Sequence, residues 1–174
     1  MRNKILSTVA ALALLLSLTG CGVYSFTGAS TAAESIEVGD FFNNTDLAPA
    51  NITQTFTNSL KDYYQRNSSL RVVSENGELR IEGTITEYRI SPIAPVAAGS
   101  PNAPDAAALT RLTIAVRCSY VDNLDPINSF KDKTFSFYAD YDNNQDFTSV
   151  QDQLEKTIFD QILLDIFNAT IANW

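Results

Sequence analysis

Strict alternation of apolar and polar residues predicts the strands of this chain. In residues 109–122 one face carries a row of apolar residues, and the other carries Arg111, Thr113, Ala115, Arg117 and Ser119. That apolar row consists of Leu112, Ile114, Val116, Cys118 and Tyr120. Shorter alternating or aromatic segments predict further strands over 35–40 and 128–139. The pattern is typical of a sheet with one buried and one polar face.

Residues 78–91 predict another strand, with a change of parity inside it. Leu79 and Ile81 share one face, whereas Tyr88 and Ile90 have the opposite parity. We therefore expect a bulge or strong twist near residue 87. The strand follows residues 70–73 through the turn sequence 75–77, which contains Asn-Gly, so the two segments are predicted to form a hairpin. Proline-rich residues 92–108 predict a long loop.

Apolar residues at helical spacing predict two helices, near 51–66 and 149–171. The first stripe comprises Ile52, Phe56, Leu60, Tyr63 and Tyr64, and the second comprises Val150, Leu154, Ile158, Phe159, Ile162 and Ile166. Asn51 with Gln54, and Thr148 with Gln151, predict N-terminal caps. The element order is then β-α-β-β-β-β-α. We expect an α+β fold, with a mostly antiparallel sheet of four to five strands and two helices packed on one face.

The N-terminus predicts export and lipid attachment. Arg2 and Lys4 precede an apolar stretch over 5–18, which is too short for a stable membrane anchor. The stretch ends in Leu-Thr-Gly before Cys21, which resembles the bacterial lipobox. We therefore divide the chain into a signal peptide over 1–20, a lipidated tether over 21–33 and a single α+β domain over 34–174. No acidic residue occurs between Cys21 and Glu34, which fits the periplasmic side of the outer membrane.

Composition excludes several classes of function. The chain has no histidine, which removes histidine-based triads and the usual zinc sites. Without the signal peptide it keeps 10 basic and 20 acidic residues, a net charge of −10 that argues against a nucleic-acid partner. Cys118 is the only cysteine besides Cys21, and its place in a strand predicts a buried, inert thiol. We expect no cofactor and no metal.

The acidic segment over 138–145 is the one candidate for carboxylate chemistry. Its alternating Asp and Asn residues suggest Ca²⁺ ligands, but the glycine and the terminal glutamate of an EF-hand loop are missing. A hydrolase built on Asp140 and Asp142 remains an alternative. The simpler interpretation is a polar connection whose acids lie near a helix N-terminus. We therefore expect a protein that is not an enzyme and has no catalytic residues.

Arginines in the long strands are the candidate contact residues. Arg80, Arg111 and Arg117 share the face opposite the apolar rows, and Arg89 lies in the same strand as Arg80. A guanidinium group can bind phosphate or carboxylate through two parallel hydrogen bonds. The alternative is pairing with neighbouring acids such as Glu82 on a solvated face.

The order of several motifs resembles the Bacteroidetes branch of the LptE family. The lipobox is followed at once by Gly-Val-Tyr-Ser-Phe-Thr-Gly over 22–28, and the similarity continues through Gln-Thr-Phe-Thr over 54–57. It extends through Leu-Arg-Ile-Glu-Gly over 79–83, Arg-Leu-Thr-Ile over 111–114, Tyr-Ala-Asp-Tyr over 138–141 and the C-terminal residues 166–169 and 172–174. The similarity covers nearly all of the chain after the signal peptide.

This resemblance implies a role in lipopolysaccharide assembly. In that family a lipoprotein plugs the large outer-membrane barrel LptD, supports its assembly and helps lipopolysaccharide to reach the outer leaflet. It implies an LptD-like barrel as the partner and lipopolysaccharide as a candidate second ligand. The strand pattern, and not the resemblance, makes four arginines our candidates for contact with the barrel or with lipopolysaccharide: Arg80, Arg89, Arg111 and Arg117. The net acidic charge departs from the basic lipopolysaccharide contacts associated with better-known relatives. The alternative is a generic periplasmic adaptor lipoprotein of another envelope complex.

Overall fold

A computed structural model describes residues 31–93 and 109–171. Its elements are β1 (Ser35–Asn43), α1 (Ile52–Asn67), β2 (Arg71–Val73), β3 (Leu79–Ile93), β4 (Leu109–Asp122), a 3₁₀ turn (Pro126–Asn128), β5 (Phe130–Asp142) and α2 (Phe147–Thr170). This is the predicted order of strands and helices. The signal peptide, Cys21, residues 94–108 of the predicted loop and the last three residues lie outside the described part.

The five strands form one mixed sheet in the order β2-β1-β3-β4-β5. β1 pairs in parallel with β2 and with β3. β3 pairs antiparallel with β4, and β4 with β5, along almost their whole lengths. Most of the paired residues therefore lie in antiparallel ladders, and the predicted α+β class and sheet type are confirmed.

Both helices pack on the same face of the sheet and enclose the core. Phe56 of α1 is fully buried, and its ring packs edge-on against Phe41 of β1 and Phe159 of α2. At the other end of the helix pair, the buried hydroxyls of Tyr64 and Thr170 lie 2.8 Å apart and form a hydrogen bond. A second bond, from the Thr170 hydroxyl to a carbonyl of its own helix, satisfies that group. No helix in the described ranges is long and apolar enough to cross a membrane.

The predicted bulge in β3 is confirmed, and it keeps the core row continuous. The register with β4 shifts between Ile85 and Glu87, where one extra residue enters β3. Ile85 and Tyr88 are both buried on the helix side as a result. The bulge thus explains the parity change that the sequence contains.

The predicted hairpin between 70–73 and β3 is wrong. β1 lies between β2 and β3, and all three strands are parallel. The turn over 74–78 therefore carries the chain over the N-terminal end of β1, from the β2 side to the β3 side. Asn76 adopts a positive φ of 55°, which asparagine tolerates. A Cβ added to Gly77 would lie 2.4 Å from the backbone nitrogen of Glu37 and 2.6 Å from the carbonyl oxygen of Leu79, so only glycine fits the crossing.

We expect Gly77→Ala to destabilise the fold, because the atoms that its Cβ meets belong to the backbone and the crossing must shift. The expected loss is about 1–3 kcal/mol, the usual cost of overpacking. Chemical denaturation followed by circular dichroism measures it. Gly39→Ala is the matched control, since its Cβ would come no closer than 3.3 Å to a neighbour. Equal losses in both variants would contradict the proposed role of Gly77.

Neither predicted N-terminal cap is present. Asn51 precedes α1 with φ −92° and ψ 0°, outside the extended conformation that a capping side chain normally needs, and it makes no such hydrogen bond. α2 begins at Phe147, so Thr148 lies inside its first turn instead of capping it. Asp146 occupies the N-cap position, and its side chain makes no capping hydrogen bond either.

Candidate interaction surface

The face of the sheet opposite the helices is uncovered among the described residues, and all four candidate arginines project from it. Arg80 lies between the buried residues Leu79 and Ile81, and the β3 bulge returns Arg89 to the same side. Arg111 and Arg117 alternate with the buried row of β4. The predicted common face of Arg80, Arg111 and Arg117 is thus present. We call this surface the open face.

Arg111 is held in a fixed position by two neighbours on β5. Its Nε and Nη2 donate to the two carboxylate oxygens of Asp140 at 2.7 and 2.9 Å. The guanidinium carbon also lies 3.5 Å from the centre of the Tyr138 ring, which adds a cation–π contact. The hydrogen bonds to Asp140 raise the pKa of Arg111 further above its ordinary value, so the group stays charged. Two of its five N–H donors are therefore bound to Asp140.

Arg80 and Arg89 each pair with an acid two positions away on β3. Arg80 Nη2 lies 2.8 Å from a carboxylate oxygen of Glu82, and Arg89 Nε lies 2.6 Å from one of Glu87. Arg80 also approaches Glu37 of β1 at 3.5 Å. Pairing with neighbouring acids, the alternative given for these arginines, is therefore what Arg80 and Arg89 do. Such exposed pairs contribute little to stability.

Arg117 is the one candidate arginine without a hydrogen bond or ion pair to any described residue. It is exposed at the side of an open depression of about 610 Å³. The depression is lined by Phe42, Asn43, Asn44, Glu82, Gly83, Thr84, Thr86, Arg117, Ser119 and Asp132. The free donors of Arg117 and the hydroxyls around it can bind a carboxylate, a carbonyl or a phosphate from a partner.

Phe42 is the residue of this surface that sequence reasoning missed. It follows Phe41 in β1, and the register shifts between Val38 and Phe41. Phe41 is consequently buried under the helices, whereas Phe42 projects beside Thr84 with 67 % of its surface exposed. Continued alternation from Ile36 and Val38 would bury Phe42, and the register shift places Phe41 in the core instead. Thr84 and Ser119, by contrast, follow from the alternation already recognised in β3 and β4.

In the described part of the chain, the acidic segment forms no cluster of metal-ligating side chains. Asp140 is bound by Arg111, and the described ranges contain no cluster of three or more acids or cysteines that could hold a metal. Cys118 is buried, and burial raises the pKa of its thiol to about 12. That thiol is therefore protonated and unreactive near neutral pH, as its position in the strand predicts.

Solved structures share this fold at low sequence identity. A solution structure of lipoprotein B from Nitrosomonas europaea is similar with a TM-score of 0.52 and 11 % identity, covering 86 % of this chain and 88 % of that one. A crystal structure of a Xanthomonas campestris protein gives a TM-score of 0.54 at 10 % identity, covering 82 % and 86 %. The structure of a hypothetical protein from Chlamydia trachomatis has a TM-score of 0.51 at 11 % identity, and the match covers 82 % of this chain and 100 % of that one. At these identities the similarity concerns the fold alone.

Comparison with curated protein sequences gives no match. The family model described as "LptE: Lipopolysaccharide-assembly" does match, over residues 33–170. That range begins just before β1 and ends with the last residue of α2, so it includes every strand and helix described above. The chain therefore belongs to the LptE family of lipopolysaccharide assembly.

Proposed function

We propose that this protein is the lipid-anchored subunit of the lipopolysaccharide translocon, and that it plugs an LptD-like barrel and supports its assembly. The observation that carries the proposal is an uncovered sheet face in a chain of the LptE family. The anchor is a lipidated Cys21, which holds the protein on the periplasmic side of the outer membrane. The protein acts by binding, without a catalytic step or a cofactor.

The dimensions of the open face suit the inside of a barrel. β3 has 15 residues and β4 has 14, so the sheet is roughly 50 Å long at about 3.3 Å per residue. A bilayer's hydrocarbon core is about 30 Å thick. A rod of this length can extend through a barrel lumen and still reach the periplasm.

The chemistry of the open face also suits a barrel wall. Threonine, serine and charged residues alternate along β3 and β4 on this side, which matches the polar interior of a large barrel. Phe42 and Tyr138 add exposed aromatic surface, which is enriched at the centre of protein interfaces. The combination of polar and aromatic groups therefore favours contact of the open face with a protein partner.

Lipopolysaccharide is the second partner that we propose, with Arg117 as the arginine free to meet a phosphate. Glu82 and Asp132 line the same depression and oppose an anion there. We therefore assign Arg117 first to the barrel and only second to lipopolysaccharide.

Affinity purification of the tagged, lipidated protein from detergent-solubilised outer membranes tests the proposed function. Mass spectrometry identifies and quantifies the proteins that remain bound. We expect an LptD-like barrel at near-equal amounts. Recovery of a different envelope complex without such a barrel would contradict the translocon role and favour the generic adaptor.

We expect Arg117→Glu to lower recovery of the barrel at least tenfold. Arg117 makes no hydrogen bond or ion pair within the described ranges, so the fold should tolerate the change. A charge left without its partner in a buried interface costs about 2–5 kcal/mol, and about 1.4 kcal/mol is already tenfold in affinity. The same purification, with the barrel quantified against the bait, measures the effect.

Lys156→Glu is the matched control for that experiment. It makes the same charge reversal on the outer side of α2, where Lys156 is exposed and forms an ion pair with Asp160. Barrel recovery should stay at the unmodified level. An equal loss in both variants would mean that net charge, and not the open face, governs binding.

A further inference from the structure

The loop between β4 and β5 exposes apolar side chains at one end of the domain. Ile127 is 90 % exposed, Leu124 is 53 % exposed, and Val121 at the end of β4 is 45 % exposed. Single exposed apolar residues are common, but two within four positions of one short loop mark a candidate contact surface. Val121 pairs with Arg80 and belongs to the open face, whereas Leu124 and Ile127 lie in the loop beyond the end of the strands.

Hydrogen bonds to the buried carboxylate of Asp122 and to the exposed carboxylate of Asp125 hold this loop in one shape. The buried Asp122 carboxylate accepts the backbone N–H groups of Leu124 and Asp125, both at 2.9 Å. The Asp125 carboxylate accepts the N–H of Ile127 at 3.3 Å. The backbone N–H of Asp122 donates to Ser129 at 2.9 Å, which closes the loop. The apolar side chains are thus presented by a fixed backbone.

The loop lies beside the point where the N-terminal segment enters the fold. The backbone N–H of Asn123 donates to the carbonyl of Glu78 at 3.0 Å, and that of Glu34 donates to the Glu78 carboxylate at 2.6 Å. A depression of about 310 Å³ next to them is lined by Thr31 of the N-terminal segment and by Leu124 of the loop. The same end of the domain therefore carries the chain that leads back to Cys21.

We propose that Leu124 and Ile127 insert into the membrane leaflet that holds the lipids of Cys21, as a second contact with the membrane. The inference rests on the proposed lipid anchor. Nine residues lie between Cys21 and Thr31, so the ten Cα–Cα steps of the tether reach at most about 35 Å. A short tether gives the loop a high effective concentration at the lipid surface, so two apolar side chains suffice for a lasting contact. The loop then fixes the tilt of the sheet relative to the membrane.

A polarity-sensitive fluorescent label tests the contact. Ile127→Cys is labelled in the mature, lipidated chain, and the buried Cys118 thiol does not compete at neutral pH. The control label is at Gln145→Cys, an exposed turn between β5 and α2 at the opposite end of the sheet. Both proteins are reconstituted in vesicles of phosphatidylethanolamine and phosphatidylglycerol that contain no barrel. Quenching by doxyl groups on the lipid chains is compared with quenching by iodide in the water.

We expect the label at 127 to be quenched by the lipid doxyl groups and protected from iodide, with the reverse at 145. Adding Leu124→Ser should reduce the lipid quenching at 127 several-fold. Iodide quenching at 127, or protection from both quenchers by cover from protein, would overturn the proposal. The mass of the mature protein tests the lipid anchor separately, before either label is measured.

Discussion

Phe56→Ala should cause the largest loss of stability of any single change considered for this protein. The ring is fully buried and packs edge-on against Phe41 and Phe159, with ring centres 4.9 and 5.1 Å away. It therefore joins α1 to the sheet and to α2 at once. Removing a buried phenylalanine ring costs about 3–5 kcal/mol, because the cavity that remains collapses only in part. The total free energy of unfolding of a native protein is about 5–15 kcal/mol, so the change removes a large share of the stability.

Thermal unfolding of the chain from residue 22 onward measures this loss, and the midpoint should fall on the order of 10 °C. Phe42→Ala is the matched control, since it removes the same ring from a side chain that is 67 % exposed. We expect its midpoint to change little. Similar losses in the two variants would mean that Phe56 does not have the central position described here.

Local sequence patterns predicted the strands and helices that keep one face toward the core along most of their length. β4 has the predicted bounds, Leu109–Asp122, and its apolar row from Leu112 to Tyr120 packs beneath the helices. The parity change before Tyr88 located the β3 bulge within one residue, since a bulge is the simplest way to keep two apolar rows on one face. The helices were found for the same reason, as each has a continuous buried stripe.

Neighbour relations between strands could not be predicted in the same way. Asn76 and Gly77 have the chemistry of a hairpin turn, yet they serve a crossing, because β1 occupies the place beside β3. That arrangement buries Ile36 next to Leu79, a contact between residues far apart in the chain. The turn sequence is compatible with both outcomes, and long-range burial decides between them.

The candidate surface was predictable in part. Alternation placed Arg111 and Arg117 on the face away from the core, but it could not show that Asp140 binds one of them and leaves the other free. That difference depends on the register between β4 and β5, which aligns Arg111 with Asp140 and Arg117 with Thr134. The residue that matters most for the proposed barrel contact therefore emerges only once the strands are paired.

Cys21→Ala should remove the protein from the outer-membrane fraction. Each methylene buried in the bilayer contributes about 0.8 kcal/mol, so two or three acyl chains hold a protein far more firmly than the marginal binding of one chain. Fractionation of the envelope and the mass of the mature protein measure the result.

Cys118→Ala is the matched control for the anchor, because it removes the chain's only other cysteine and leaves residue 21 available for lipid. Cys118 is buried within β4, so its loss costs some stability but no membrane attachment. We expect this variant to remain in the outer-membrane fraction with an unchanged lipid mass. If Cys21→Ala stayed in that fraction with the same added mass as the unmodified chain, the assignment of the anchor would be contradicted. The membrane address, on which the translocon proposal depends, would then be contradicted as well.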